Sequence, residues 1–180
     1  MTYDLQGLLS RYDAGERFSY IFFWGGRPAS GGIGKCCLSQ WYPCEFEAEG
    51  VRYHTAEQYM MAQKALLFGD RETCARIMAA SHPKEYKALG RKVKSFSDDV
   101  WNAHKKDIVV RGNTAKFGQN EHLKAFLLAT GNRVLVEASP YDRIWGIGMS
   151  ADSPGIDNPR QWQGENLLGF ALMEVRDLLA

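Results

Sequence analysis

Residues 53–70, YHTAEQYMMAQKALLFGD, carry both the periodicity and the end signals of one helix. Thr55 is a natural N-cap and Gln58 follows three residues later, as in a capping box. Gly69 comes just after the last apolar residue and is a natural stop. On a wheel of 100° per residue, apolar side chains cover nearly the whole circumference. That pattern is typical of a helix buried in the middle of a domain.

One stripe of this predicted helix carries Met60 and Met61 together with an acid, Glu57, and an amine, Lys64. Two helical turns separate the two charged side chains by roughly 10 Å along the axis, which is too far for a direct salt bridge. Each charge then needs its own compensation, because an unpaired buried charge costs several kcal/mol. Structural ion partners are one explanation. The other is a cleft with a methionine floor, where Glu57 would suit general-acid chemistry and a desolvated Lys64 would suit attack on an opened sugar.

The same hydrophobic and polar patterns predict the other elements. Helices are expected at 71–80, 83–89, 97–116, 120–131 and from about 165 onward, and strands at 19–24 and 133–139. CEFEA, the EG turn and VRYH, at 44–54, read as a hairpin. Strands and helices do not alternate regularly, which disfavours a parallel dinucleotide-binding fold. We therefore predict an α+β fold: a mainly helical single domain over residues 1–180 with a small antiparallel sheet.

Composition narrows the class of protein. An apolar share of 45% is ordinary for a globular domain, and no apolar run reaches the ~18 residues of a membrane span. The first residues lack the layout of a signal peptide, so we expect a cytoplasmic protein with no membrane partner. The four cysteines have no CxxC spacing and the four histidines form no HExxH, so we expect reduced thiols and no metal.

Charge is unevenly distributed although the net charge is only +1. Between Lys84 and Lys124 there are ten basic side chains against five acidic ones. This excess suits the phosphate groups of a ligand better than a long duplex, and a solvated helix face is the plain alternative. The glycine-rich loop GGRPASGGIG, at 25–34, lacks the spacing of a Walker motif. It is either a flexible connection or a loop that folds over a ligand.

Three further sets of residues are candidates for chemistry or binding. In the loop SPYDRIWGIGMS, Asp142 and Trp145 lie beside Gly146, where the backbone can approach a ligand and a tryptophan can hold a flat ring or sugar. For Trp145 and Trp101, the alternative to a contact with a ligand is that each ring packs in the core. Arg91 and Lys116 are candidate phosphate ligands. The alternative for Lys116 is a favourable interaction with the helix dipole near the end of its helix. Asn166 either satisfies loop backbone or holds a ribose hydroxyl, and the sequence does not choose.

The order of several motifs is more specific than any one of them. YHTAEQYMMAQKALLFGD is followed by ALGRKV, VW, KFGQN, LLATG, LVEAS, DRIWGIG and GENLLGFALMEVR. This series resembles the NADAR family, also called the YbiA-like family, from about Phe22 to Leu179. The opening FFWGG and the loop GIGKCCLSQWYPCEF are similar to the family's entry strand and its serine-containing loop. Gln40 stands after Ser39 where the family's pattern has asparagine, a departure that concerns this side chain's contact and not the fold.

The resemblance implies N-glycosidase activity on a ribosylamine. Members similar to this chain hydrolyse the C1–N bond of phosphoribosylamino intermediates of riboflavin synthesis, and others remove ADP-ribose from the amino group of guanine. Both substrates carry phosphate on the ribose side. The resemblance therefore implies that NAD derivatives such as ADP-ribose are ligands, and it implies no redox cofactor. The family's functional positions would be Glu57, Asp142, Trp101 and Trp145, with the pocket lined by Lys64, Arg91, Lys116, Asn166, Gly146 and Ser39.

The chemistry of a glycosylamine leaves two routes open. Either one carboxyl group, Glu57, protonates the leaving nitrogen or activates water while Asp142 complements it, or Lys64 attacks the opened sugar to form a Schiff base. Two rivals from other classes are a non-catalytic ADP-ribose-binding module and an antitoxin-type factor that contacts nucleic acid. For a modified base, single-stranded substrate should react faster than duplex, because a paired base must first be extruded.

Overall fold

The computed structural model describes residues 3–26 and 32–180 and divides the chain into two compact units. Unit 1 contains the chain up to Ser39 together with His122–Ala180, and unit 2 contains Gln40–Glu121. Residues 27–31, at the centre of the predicted glycine-rich loop, lie outside the described residues. The extent of a single domain over 1–180 therefore stays a prediction.

Seven α-helices and four strands are found in the described residues. In chain order they are α1 Leu5–Asp13, β1 Tyr20–Phe23, β2 Phe46–Ala48, β3 Val51–Tyr53, α2 Ala56–Leu67, α3 Arg71–Ala79, α4 Pro83–Gly90, α5 Asp98–Gly118, α6 Glu121–Ala129, β4 Val134–Glu137 and α7 Leu167–Leu179. Short 3-10 helices cover Lys35–Leu38 and Pro159–Gln161.

Helix α2 is the central element of unit 2 and packs against α3, α4 and α5. Two glycines allow these close contacts. A Cβ at Gly112 of α5 would lie 2.4 Å from the ring of Tyr59, and one at Gly90 of α4 would lie 2.1 Å from the sulfur of Met61. Tyr59 is fully buried, so its ring has no room to retreat. The apolar circumference predicted for α2 is thus explained by neighbours on several sides.

The start of α2 follows the predicted capping pattern with one difference. The Thr55 hydroxyl accepts the backbone N–H of Gln58 at 3.1 Å, as predicted. The Gln58 side chain accepts the N–H of His54 at 2.9 Å, one residue before the N-cap, and its amide donates to the carbonyl of Ile77 in α3. Gln58 thereby fixes both the entry of the chain into α2 and the packing of α3.

Unit 1 is built on two neighbouring parallel strands. Strand β1 pairs with β4 in the register Tyr20–Val134 to Phe23–Glu137, and α7 packs on β4. All three of Val134, Leu135 and Val136 are buried, as expected for a strand covered on both faces. The carboxyl ends of the two strands lie at the same edge, where the loops after Phe23 and Glu137 begin.

The predicted α+β class is confirmed, with a mainly helical chain and small two-stranded sheets. The hairpin of β2 and β3 is antiparallel, as predicted. Two features were not predicted: the parallel pairing of β1 with β4, and helix α1, whose N-cap Asp4 accepts the N–H of Gly7. Both strands of the parallel pair had been predicted as strands, but not their partnership.

The expectations drawn from composition concern membrane spans, metal ligands and cysteine residues. Each described helix is too short or too polar to cross a membrane. Within residues 3–26 and 32–180, no cluster of three or more His, Cys, Asp or Glu side chains is arranged to hold a metal ion. All four cysteines carry thiols rather than disulfides.

Candidate active site

Glu57 lies in the first turn of α2 and is only 4% exposed. Its backbone N–H donates to the carbonyl of Gln40 at 2.9 Å. The Gln40 side chain, also buried, accepts a hydrogen bond from the amide of Asn113 in α5 at 2.8 Å, and the same amide donates to the carbonyl of Val109. A chain of hydrogen bonds therefore ties the start of α2, where Glu57 sits, to the middle of α5.

The methionines beside Glu57 are core residues. Met60 and Met61 are both buried, and the sulfur of Met61 lies against the backbone of Gly90. Met61 therefore closes the contact between α2 and α4. Met61, predicted to form part of a cleft floor, thus takes part in the packing of α2 on α4.

Lys64, two turns after Glu57 on α2, is half-buried against two aromatic rings of unit 2. Its Nζ lies 4.2 Å from the ring centroid of Phe96 and 5.4 Å from that of Trp101. Burial lowers the pKa of Lys64 below 10.5, and the positive charge of Arg91 lowers it further, while Asp98 acts in the opposite direction. A larger share of this amine is therefore neutral near physiological pH than of an exposed lysine, as a nucleophilic amine requires.

The rings around Lys64 are held by a tightly fixed turn. Phe96 packs on Phe68, with ring centroids 5.2 Å apart. Before it, Ser95 has a φ of 56°, which is unusual for a residue other than glycine, and after it Ser97 caps α5. The N–H of Lys94 donates to the Asp70 carboxylate at 2.9 Å. Phe96 was missed by the sequence reasoning, because nothing in its local pattern indicates which lysine it contacts.

Two of the predicted phosphate ligands have different surroundings. Arg91 is exposed at the end of α4, and its positive charge helps to lower the pKa of Lys64. The Lys116 side chain has no exposed surface, and its Nζ lies 4.9 Å from the ring centroid of Phe117 and 5.6 Å from that of Tyr42. Arg91 can meet a phosphate from solution. In this conformation Lys116 cannot.

Asp142, Trp145 and Gly146 belong to unit 1, in the loop after β4. One carboxylate oxygen of Asp142 accepts the N–H groups of Ile144 at 3.0 Å and Trp145 at 2.8 Å, so this side chain shapes the turn that carries Trp145. Gly146 is buried, and a Cβ there would lie 2.8 Å from the carbonyl of Glu137. The close backbone approach predicted at Gly146 is thus an approach to the protein's own strand β4.

The remaining two predicted positions in unit 1 are buried. Asn166 is fully buried at the start of α7: its Oδ1 accepts the N–H of Glu137 at 3.0 Å and its Nδ2 donates to the carbonyl of Leu135 at 2.9 Å. This geometry is that of the first alternative, in which Asn166 satisfies backbone. Ser39 is 6% exposed and ends the 3-10 helix that begins at Lys35.

A cavity of about 580 Å³ lies within unit 1 but away from these residues. It is bounded by α1, by the turn before β4 and by α7, with walls that include Leu8, Phe18, Phe170, Met173 and Arg176. No predicted site residue is among the described residues that line it. Its walls are largely apolar, and both arginines that line it already have partners: Arg11 bonds Glu16, and Arg176 bonds Thr130 and a backbone carbonyl. We therefore do not place the chemistry there.

The predicted site residues thus fall into two sets. Within unit 2, Glu57, Lys64, Trp101 and Arg91 share α2 and the elements packed on it, with Lys116 on α5. Within unit 1, Asp142, Trp145, Gly146 and Asn166 surround the end of β4. The acid, the desolvated amine and an aromatic wall all lie in unit 2.

Comparison with known proteins identifies relatives over most of the chain. A model of the NADAR domain matches residues 22–180. N-glycosidase R617 of Acanthamoeba polyphaga mimivirus is 45% identical over 167 residues, covering 90% of this chain and 97% of that protein. The chloroplastic riboflavin biosynthesis protein PYRR of Zea mays is 35% identical over 129 residues, which cover 68% of this chain and 19% of that protein.

The fold is also similar to that of a solved relative. The NMR structure of the Escherichia coli protein YbiA superposes with a TM-score of 0.72 at 27% identity, covering 91% of this chain and 86% of that one. The curated E. coli protein of that name, N-glycosidase YbiA, is 33% identical over 134 residues, covering 74% of this chain and 75% of that protein.

Proposed function

Since this chain belongs to the NADAR family, as its motifs predicted, we propose that it is an N-glycosidase that hydrolyses the C1–N bond of a ribosylamine. The observation that carries the proposal for this chain is the placement of Lys64. Its amine, desolvated and in contact with two aromatic rings, lies on the same helix as the buried acid Glu57.

Two substrates fit this chemistry. One is ADP-ribose attached to the amino group of guanine, and the other is a phosphoribosylamino intermediate of riboflavin synthesis. In both, a ribose C1 is bonded to an exocyclic nitrogen and phosphate lies on the ribose side. The similarity to PYRR supports the second, since that protein's name places it in riboflavin biosynthesis.

In the direct route, cleavage of the C1–N bond builds positive charge on C1 and leaves an amine that needs a proton. Glu57 is the group we assign to this proton transfer, donating to the nitrogen or taking a proton from the attacking water. Water supplies the hydroxyl that ends on C1, and the base leaves as a neutral amine. The Asp142 carboxylate, which shapes the Trp145 turn, is assigned a supporting role in that loop.

In the imine route, the ribosylamine first opens to a C1=N bond, and the neutral amine of Lys64 adds to C1. Proton transfer then releases the base as an amine and leaves a C1=N bond to Lys64, which water hydrolyses to free sugar and lysine. The lowered pKa of Lys64 favours this route, because only the neutral amine attacks. The rings of Phe96 and Trp101 would also face the cationic imine.

Borohydride trapping separates the two routes. Treating the protein with substrate and borohydride should leave a reduced sugar adduct on the peptide that contains Lys64, and Lys64→Arg should abolish it while keeping the positive charge against the rings. Lys84→Arg, in α4, is the matched control and should leave the adduct in place. An active enzyme without any adduct would rule out the imine route and leave direct hydrolysis.

Arg91 is the group we assign to substrate phosphate. Arg91→Ala removes this exposed guanidinium and with it the contact to phosphate. The substitution should therefore raise KM more than it lowers kcat. Arg91→Lys keeps the positive charge, so its KM should lie between that of the wild-type protein and that of Arg91→Ala. An unchanged KM in Arg91→Ala would remove this assignment.

The alternatives predict different outcomes with the same substrates. A non-catalytic ADP-ribose-binding module would bind them tightly without releasing sugar. An antitoxin-type factor would bind unmodified nucleic acid with a strong dependence on salt and would release no sugar from either substrate. Mass spectrometry of reactions with ADP-ribosylated guanine DNA and with a phosphoribosylaminopyrimidine would distinguish turnover from binding in one experiment, and sugar release from neither would refute the N-glycosidase proposal.

A further inference from the structure

Two large aromatic side chains of unit 1 stand side by side in solvent. Trp24 is 54% exposed and Tyr141 is 86% exposed, and their ring centroids lie 5.9 Å apart with planes tilted by 51°. Aromatic rings of this size are normally buried for most of their area, and exposed apolar groups that cluster mark sites of interaction. Neither ring is needed to fill the core of the unit.

The backbone holds both rings at one edge of the parallel sheet. Trp24 follows the last residue of β1, and the N–H of Ala138 donates to the carbonyl of Phe23 at 2.9 Å, so the pairing continues one step past β4. Tyr141 lies three residues further on, with its N–H directed to the hydroxyl of Ser139. The rings therefore lie over the carboxyl ends of two neighbouring strands, the edge at which ligands bind in sheets of parallel strands.

The neighbours of this pair determine what it can bind. Tyr141 is followed by Asp142, whose carboxylate shapes the Trp145 turn, and then by two exposed side chains, Arg143 and Ile144. The Arg143 guanidinium donates to the Gln163 side chain at 3.2 Å and remains exposed. Two flat rings, with a positive charge two residues after Tyr141 in the same loop, match a flat base joined to a phosphate.

We propose that Trp24 and Tyr141 form a stacking platform for an unpaired base of single-stranded nucleic acid. Every base has a π-face, so such a platform binds without reading sequence, whereas bases in a duplex are stacked on one another and do not present their faces. Arg143 would contact the adjoining phosphate. As a statement about substrate, this inference rests on the proposed function and selects the nucleic-acid form over the small metabolite. The proposed binding of a single strand does not require the protein to cleave a glycosidic bond.

Fluorescence anisotropy with labelled, unmodified oligonucleotides of eight nucleotides tests the platform. DNA and RNA single strands are both used, because the platform contacts base and phosphate, and a duplex of the same sequence is the comparison. Loss of base stacking costs about 1–3 kcal/mol, so Trp24→Ala and Tyr141→Ala should each raise Kd by about 5- to 150-fold. Tyr141→Phe keeps the ring and should bind as the wild-type protein does.

Two controls separate stacking from general effects. Leu178→Ala removes a side chain of α7 that is 63% exposed and should leave Kd unchanged. The slope of log Kd against log salt concentration should be the same in Trp24→Ala as in the wild-type protein, because no charge has been removed. Arg143→Ala, by contrast, should make that slope shallower by about one.

The outcomes distinguish this inference from the proposed function. Failure of the wild-type protein to bind the single strands, equal affinity of the double variant Trp24→Ala/Tyr141→Ala, or equally tight binding of duplex would each overturn the platform, whether or not the protein cleaves a ribosylamine. Platform-dependent binding by a protein that cleaves neither substrate would leave the inference intact and refute the glycosidase.

Discussion

Replacing Asn166 with alanine should destabilise unit 1 strongly, because this side chain joins the start of α7 to strand β4. Its two polar atoms bond the N–H of Glu137 and the carbonyl of Leu135, and the side chain has no exposed surface. Alanine leaves both backbone groups without their partner. The structure thereby assigns Asn166 to the fold, and its predicted contact with a ribose hydroxyl would require these bonds to be given up.

The size of the effect follows from the two lost bonds and from the backbone. A buried polar group left without a partner costs about 1–3 kcal/mol, so two cost about 2–6 kcal/mol. Asn166 also has a φ of 55°. Alanine in that left-handed conformation adds roughly 1 kcal/mol. A domain of this length loses about 2–4 °C in Tm for each kcal/mol, so a total of about 3–7 kcal/mol predicts a drop of at least about 6 °C.

Thermal unfolding followed by circular dichroism measures this drop, and Asn166→Gly is the matched variant. Asn166→Gly also loses both bonds, but glycine accepts the left-handed conformation. Its free energy of unfolding should therefore be roughly 1 kcal/mol higher than that of Asn166→Ala. A Tm for Asn166→Ala within about 2 °C of the wild-type value, which is less than one lost buried bond predicts, would refute the structural role. A raised KM with an unchanged Tm would favour the ribose contact instead.

Four further predictions concern unit 2. Thr55→Ala removes the N-cap of α2 and should cost about 1 kcal/mol, or about 2–4 °C in Tm. Gly112→Ala places a Cβ 2.4 Å from the ring of buried Tyr59 and should cost about 1–3 kcal/mol, measured by urea unfolding. Hydrogen bonds from backbone N–H groups hold the pKa of Asp70 down to about 2, so its ionised form stabilises the fold above about pH 4 and this contribution is lost as pH falls towards 2. Asp70→Asn should therefore lower Tm at pH 7 but have a smaller effect at pH 2. Because burial lowers the pKa of Lys64, its reductive methylation should rise with pH at a midpoint below 10.5, and a midpoint above that value would refute the desolvation.

Local signals were sufficient to predict most elements of the fold. Thr55 and Gln58 marked the start of α2, and the EG turn marked the hairpin, because caps and turns act within a few residues. Helix α1 was not predicted although Asp4 is an ordinary N-cap, because Leu8 is the one buried residue among its nine and the apolar stripe is therefore weak. The parallel pairing of β1 with β4 joins segments more than 100 residues apart, and no local pattern encodes such a partnership.

The candidate site was predicted less completely, because its chemistry depends on neighbours that are distant in sequence. Motifs and the family resemblance predicted Glu57, Lys64 and Trp101 as site residues, and this stays a prediction. They did not identify Phe96, whose ring lies closest to the Lys64 amine, since that contact depends on a turn held by Asp70 and Ser97. For the same reason the sequence left both alternatives open for Asn166.

Sugar release by the wild-type protein and by Glu57→Gln tests the central claim most directly. With ADP-ribosylated guanine DNA or a phosphoribosylaminopyrimidine as substrate, the wild-type protein should release the free sugar. Glu57→Gln keeps the shape of the side chain but cannot exchange a proton, so it should slow release by about 10²- to 10⁴-fold. Release from neither substrate, or equal rates for the two proteins at equal Tm, would contradict the assignment of this helix to glycosidic bond cleavage.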